Sequence, residues 1–129
     1  MDARRLAGLS VLADLPEGEI DVLSGAMTEI DAAAGAKVVT VDDYGTAIYF
    51  IEQGEADVLI EGEPSLALGP GDSFGEIALL LTGERTATVV ARTKMRLLSL
   101  AGHDFERIRT QVPQLERTLR HLGLERAAQ

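Results

Sequence analysis

The middle of the chain is cut into short apolar segments at intervals of roughly ten residues, and this punctuation limits the fold more than any other feature. KVVTVDD, AIYFIEQG, ADVLIEG and SLALGPGD each carry Val, Ile, Leu or Tyr and each end in Gly, Asp-Asp or Gly-Pro-Gly. TATVVAR and RLLSL continue the series further on. None is long enough for a core helix, and the closing residues are those that tight turns use. About seven short strands are expected.

Both ends of the chain change to a helical period. Leu6, Leu9 and Leu12, then Ile20, Leu23 and Met27, are spaced for two short helices over residues 3–27, with Pro16 dividing them and the second starting at or just after it. From Ala101 the spacing of Phe105, Ile108 and Val112, then of Leu115, Leu119 and Leu122, predicts two more over about 101–126, with Pro113 at the start of the last. Helices, strands and helices again give an α+β domain built on a small antiparallel barrel or roll. The 129 residues show no linker, low-complexity tract or internal repeat, so one domain, 1–129, is expected.

Composition removes several functions. The chain has no cysteine, which excludes disulfides, thiolate zinc sites and cysteine nucleophiles. A net charge of −9 argues against a nucleic-acid binder. No apolar run approaches the ~20 residues of a membrane span, and no signal-peptide pattern opens the chain, so a cytoplasmic location is expected. The charge is uneven: net −13 over residues 1–91 and +4 over 92–129. The basic part is either a solvated pair of helices or a surface that meets the acidic body or an acidic partner.

One stretch interrupts the strand series. FGEIALLLTGERTATV, residues 74–89, places Gly-Glu before an apolar turn and a lone arginine after it. A short helix over 76–82 would leave unpaired backbone N–H groups at its start, where the dipole favours an anion. Gly75 would allow close approach there, and Ala78 would keep it open. Arg85 can offer a two-pronged guanidinium to a phosphate, and Thr86 a hydroxyl. Glu76 is an acceptor suited to sugar hydroxyls. Singly, Arg85 can be a surface residue paired with Glu84 or Glu76, and Glu76 an acid suited to the helix dipole. Together they describe a site for a nucleotide.

The same residues resemble the phosphate-binding cassette of cyclic nucleotide-binding domains, which reads approximately F-G-E-[LI]-A-L-L, a short gap, then R-[AST]-A-T-V. LADLPEGEIDVLSGAM, DDYGTAIYFIEQGEADV, LGPGDSFGE and LLSLAGHDFERIRTQVPQLERTLRHL extend the likeness over nearly the whole chain. Val11-Leu12 stands where relatives often have an aromatic before Leu-Pro. The resemblance implies an antiparallel, jelly-roll-like β-roll of about eight strands with flanking N- and C-terminal helices, the roll spanning about 28–100. It implies that Glu76 accepts from the ribose 2′-hydroxyl and Arg85 pairs with the cyclic phosphate. Amides around Gly75, Ile77 and Ala78 would hold phosphate and sugar, and Thr86 would touch phosphate or base. The last helix would close as a lid through Leu119, His121 or Leu122, with Leu124 near them.

The implied ligand is cAMP, ahead of cGMP; Thr86 beside Arg85 is similar to the arrangement in relatives that accept cGMP. No other cofactor, no metal and no catalysis are expected. His103 and His121 read as surface residues, and there is no Walker lysine, His-Glu-x-x-His or nucleophile elbow. The implied partner is an effector domain or a second copy reached through the C-terminal helices. An interaction module on the same fold, its pocket unused, is the alternative. Whether the chain is free-standing or cut from a larger protein stays open.

Overall fold

The structure is a computed structural model that describes residues 1–39, 47–75 and 87–127, the last three as backbone alone. The N-terminal helices are α1, Ala3–Ala7, and α2, Glu17–Ser24. Asp2 caps α1 by accepting from the Arg4 N–H. Pro16, whose fixed φ suits the position before a first turn, stands immediately ahead of α2.

Eight strands are present among the described residues: β1 Thr28–Ala32, β2 Lys37–Val39, β3 Ala47–Gln53, β4 Ala56–Ile60, β5 Glu63–Leu68, β6 Ser73–Phe74, β7 Thr88–Ala91 and β8 Met95–Ala101. They form two antiparallel sheets of four, ordered β1-β8-β3-β6 and β2-β7-β4-β5. Sequence patterning misses two strands, the two-residue β6 and β1, TEIDA. β1 has the clearer reason. All its residues but Ala32 are exposed, so it has no apolar alternation, and pairing of Thr28–Ala32 with Ser99–Met95 holds it in place. The C-terminal part is α3, Gly102–Ile108, a 3₁₀ turn at Arg109–Gln111 and α4, Pro113–Ala127.

The period-2 alternation of β3 and β8 builds two cores at once. Ile51, Met95 and Leu97 face the second sheet and join Val39, Ala56, Leu68, Phe74, Val89 and Ala91 in the interior of the roll. Ile48, Phe50, Leu98 and Leu100 face the other way and join Leu6, Leu12, Leu23, Phe105, Val112, Leu115 and Leu119 under the helices. The centre of the first sheet, β3 and β8, is therefore covered on both faces, while β1 at its edge stays largely exposed.

The chain crosses between sheets at corners that hydrogen-bond one another. The β3–β4 corner at Gly54-Glu55 meets the β7–β8 corner: the Arg92 N–H donates to the Glu55 carbonyl at 2.9 Å, and the Glu55 N–H donates to Thr93 Oγ1 at 3.0 Å. Arg92 adds ion pairs to Glu55 and Asp57. By contrast, β4 and β5 stay in one sheet, joined by a two-residue turn of Glu61 and Gly62, both at positive φ, the hairpin geometry that matches strand twist.

The charge asymmetry resolves into two habits. Arg96 reaches Glu29 and Asp31 of β1, and Arg92 reaches β4, so part of the basic segment does meet the acidic body. Arg107 and Arg120 instead pair with Asp104 and Glu116 on their own helices, and Arg109, in the 3₁₀ turn, pairs with Glu106 of α3 and Glu116 of α4.

Candidate functional site

The expected site begins where β6 ends. β6 has only two residues, yet both are buried, and it pairs with β3 through Tyr49–Phe74 and Phe50–Ser73. The rings of Tyr49 and Phe74 stack with centroids 5.1 Å apart. The preceding turn is fixed on both sides: the Ile51 N–H donates to the Asp72 carbonyl and the Gly71 N–H to the Ile51 carbonyl, each at 2.8 Å. Asp72 Oδ2 closes the turn by accepting from the Gly69 N–H at 2.9 Å. Ser10 Oγ, from the N-terminal segment, donates to the Gly71 carbonyl at 3.3 Å.

Gly75 follows with φ +97, a conformation that side chains with a Cβ rarely adopt. A glycine is thus required here by the backbone itself, independently of any ligand. Glu76, Ile77, Ala78, Arg85 and Thr86, with the expected helix over 76–82, lie outside the described residues. The frame around them is described: the chain leaves the first sheet at Gly75 and enters the second at β7, whose Val89 and Val90 pair with β4 and β2.

The candidate lid residues differ among themselves. Leu119 is fully buried in the helical core, so in this conformation it anchors α4. Leu122 is half-buried, while His121 and Leu124 are exposed. Between the 3₁₀ turn and α4 is a groove of about 380 Å³ lined by Arg109, Thr110, Pro113, Glu116, Arg117 and Arg120. At its centre Glu116 accepts from Arg109 Nε at 2.6 Å and from Arg120 Nη2 at 3.1 Å. The hydrogen bond from Arg109 is the main reason the Glu116 carboxyl is held below the usual carboxylate range.

Among the described residues, no group of three or more His, Asp or Glu side chains could hold a metal ion. The His103 side chain is 82% exposed, with Nε2 lying 3.6 Å from Asp104. No helix there is long and apolar enough to cross a membrane. Sequence reasoning overlooked Tyr49, which packs against the mouth of the cassette, and Glu19, whose partners lie at the start of α4. Both lie in stretches that carry the family likeness, but their partners are distant in sequence, so only the fold reveals the contacts.

Known proteins agree with this frame. A family model described as cyclic nucleotide-binding domain matches residues 29–111. A cAMP-dependent protein kinase regulatory subunit of Yarrowia lipolytica is 38% identical over 105 residues, covering 80% of this chain and 28% of the relative. A cyclic nucleotide-gated potassium channel of Rhizobium etli is 38% identical over 93 residues, covering 72% and 26%. The chain therefore spans about a quarter of the length of these curated relatives. Among solved structures, the regulatory domain of Toxoplasma gondii PKA with cAMP superposes with a TM-score of 0.72 at 31% identity, over 85% of this chain and 42% of that one. cAMP-bound PfPKA-R superposes with a TM-score of 0.71 at 29% identity, over 82% and 39%. With two four-stranded sheets, flanking helices, a glycine-led break between β6 and β7 and these relatives, the chain belongs to the family of cyclic nucleotide-binding domains.

Proposed function

We propose that the chain is a non-catalytic sensor domain that binds a 3′,5′-cyclic nucleotide, cAMP in preference to cGMP, and signals through its C-terminal helices in a cytoplasmic setting. One observation carries this reading: residues 74–89 hold both Glu76 and Arg85 between strands of opposite sheets, in a chain matched by the family model. Glu76 takes the ribose hydroxyl, and Arg85 takes the cyclic phosphate. The amides at Gly75, Ile77 and Ala78 and the Thr86 hydroxyl complete the contacts. The cAMP preference is supported by the two solved relatives, both holding cAMP.

A monoanionic ligand meets a protein of net charge −9, so attraction must be local. Physiological salt screens exposed charges beyond ~8 Å, and a partly buried guanidinium escapes most of that screening. Arg85→Ala is expected to weaken nucleotide binding by about 1.5–3 kcal/mol, the scale of a lost charge-assisted bond. Calorimetry that finds the same affinity in the variant would remove Arg85 from the site, and a competition titration with both nucleotides decides the base. Closure then draws α4 over the base at Leu122 and His121, with Leu119 as its anchor. The face of the 3₁₀ turn and α4 that bears Arg109, Arg117 and Arg120 is the output surface in this reading, meeting an effector domain or a second copy.

A further inference from the structure

Helix α4 lacks a capping residue of its own. Val112, with its apolar side chain, occupies the position before the first turn, and Pro113 opens the helix without an N–H to satisfy. The Glu116 N–H already donates to the Val112 carbonyl at 3.1 Å. Two backbone donors remain, those of Gln114 and Leu115, and both are taken by one side chain 95 residues earlier in the chain. The Gln114 N–H donates to Glu19 Oε2 at 3.2 Å and the Leu115 N–H to Glu19 Oε1 at 2.9 Å.

Glu19 belongs to the first turn of α2, where the sequence alone would assign it to that helix's own dipole. Instead it turns onto α4 and is only 7% exposed, while Ile20 and Leu23 beside it share a core with Val112, Leu115 and Leu119. A buried carboxylate that loses its donors is costly, and so is a buried helix start that loses its acceptor. The two helices therefore separate only at the expense of both.

We infer that Glu19 is a positioning residue for α4: a carboxylate supplied by α2 that starts the candidate lid helix, so that the N-terminal helices and the root of α4 shift as one unit. The link to nucleotide affinity rests on the reading of α4 as the lid.

Amide hydrogen exchange on the full chain tests the coupling without any nucleotide. Glu19→Gln is expected to raise exchange at Gln114 and Leu115 by about five- to tenfold, the scale of a lost cap, and to loosen α2 as well. Unchanged exchange at those two amides overturns the inference. Val112→Thr in the Glu19→Gln background supplies a hydroxyl from α4's own sequence. It is expected to restore protection at the start of α4 while α2 stays loosened; equal recovery of both helices overturns the coupling.

Calorimetry with cAMP on the same variants tests positioning. Affinity is expected to fall about five- to tenfold in Glu19→Gln and to stay low in the double variant, because a cap from within α4 does not tie it to α2. An unchanged affinity in Glu19→Gln, or full recovery in the double variant, overturns the positioning role. Should the unaltered chain bind neither cAMP nor cGMP, the nucleotide reading falls, and the exchange pattern alone decides whether Glu19 joins the helices.

Discussion

Gly54 shows how one residue can hold a corner of the roll. Its φ is +93, and a Cβ built there would meet Met95 Cα and Cγ at 2.9 Å, besides the Lys94 carbonyl. The obstruction is mainly backbone, so it cannot turn aside as a flexible side chain would. Gly54→Ala combines a disfavoured backbone with overpacking and is expected to cost about 2–5 kcal/mol. Urea unfolding measures it, and a loss under about 1 kcal/mol would mean that the two corners can part freely. The turn was legible in the sequence, because Gly ends an apolar run; the neighbour that forbids a side chain was not, since it lies in another corner. The candidate site shows the same division. Glu76, Arg85 and Thr86 could be named because their chemistry and spacing lie within one short stretch, whereas Tyr49 and Glu19 act on partners far along the chain.

At the scale of elements, α1 is tied to the first sheet by Arg5. Its guanidinium donates to Glu52 of β3 through Nε at 2.9 Å and Nη2 at 2.6 Å, and Nη2 also reaches Glu29 of β1 at 2.5 Å. The bond from Arg5 holds the Glu52 carboxyl below its ordinary range against a smaller opposing effect of burial. The unfolded chain then binds a proton at Glu52 more readily than the folded one. The stabilisation is present above the ordinary carboxylate range and disappears as pH falls through the folded value. Thermal melts from pH 7 to pH 3 should show Glu52→Gln less stable at neutral pH, with the gap closing in acid. A gap that stays constant across that range would show that Arg5 contributes packing rather than charge. Pro16 and Pro113 made the starts of α2 and α4 readable, because proline restricts what precedes and opens a helix. β1 was invisible for the opposite reason: strand pairing alone defines it, and its side chains carry no apolar period.

The whole molecule is two cores laid on either side of one sheet, and this joins the proposed pocket to the helices. β6, β3 and β8 belong to the same sheet: β6 leads into the cassette, and β3 and β8 carry Phe50, Leu98 and Leu100 into the helical core. A ligand held at the cassette therefore stabilises a structure shared by both cores. Cyclic nucleotide at 100 times its dissociation constant should add about 2.7 kcal/mol of stability, a rise in Tm on the order of 10 °C. No shift with either cAMP or cGMP would favour a fold kept as an interaction module. The antiparallel roll was legible from the spacing of its turns, but its double-sided first sheet was not, because one strand's alternation does not tell which face meets helices and which meets strands. The second sheet has no such double duty. The β4–β5 hairpin turns at Glu61 and Gly62, with Ile60 and Leu66 half-open to water, no helical residue in its pairing, and its contact with β7 ending at Thr88–Leu59, short of the turn. For an engineer, that tip is a grafting point: a fluorescent reporter spliced between Glu61 and Gly62 would ride on the roll without displacing the helices whose movement it is meant to watch.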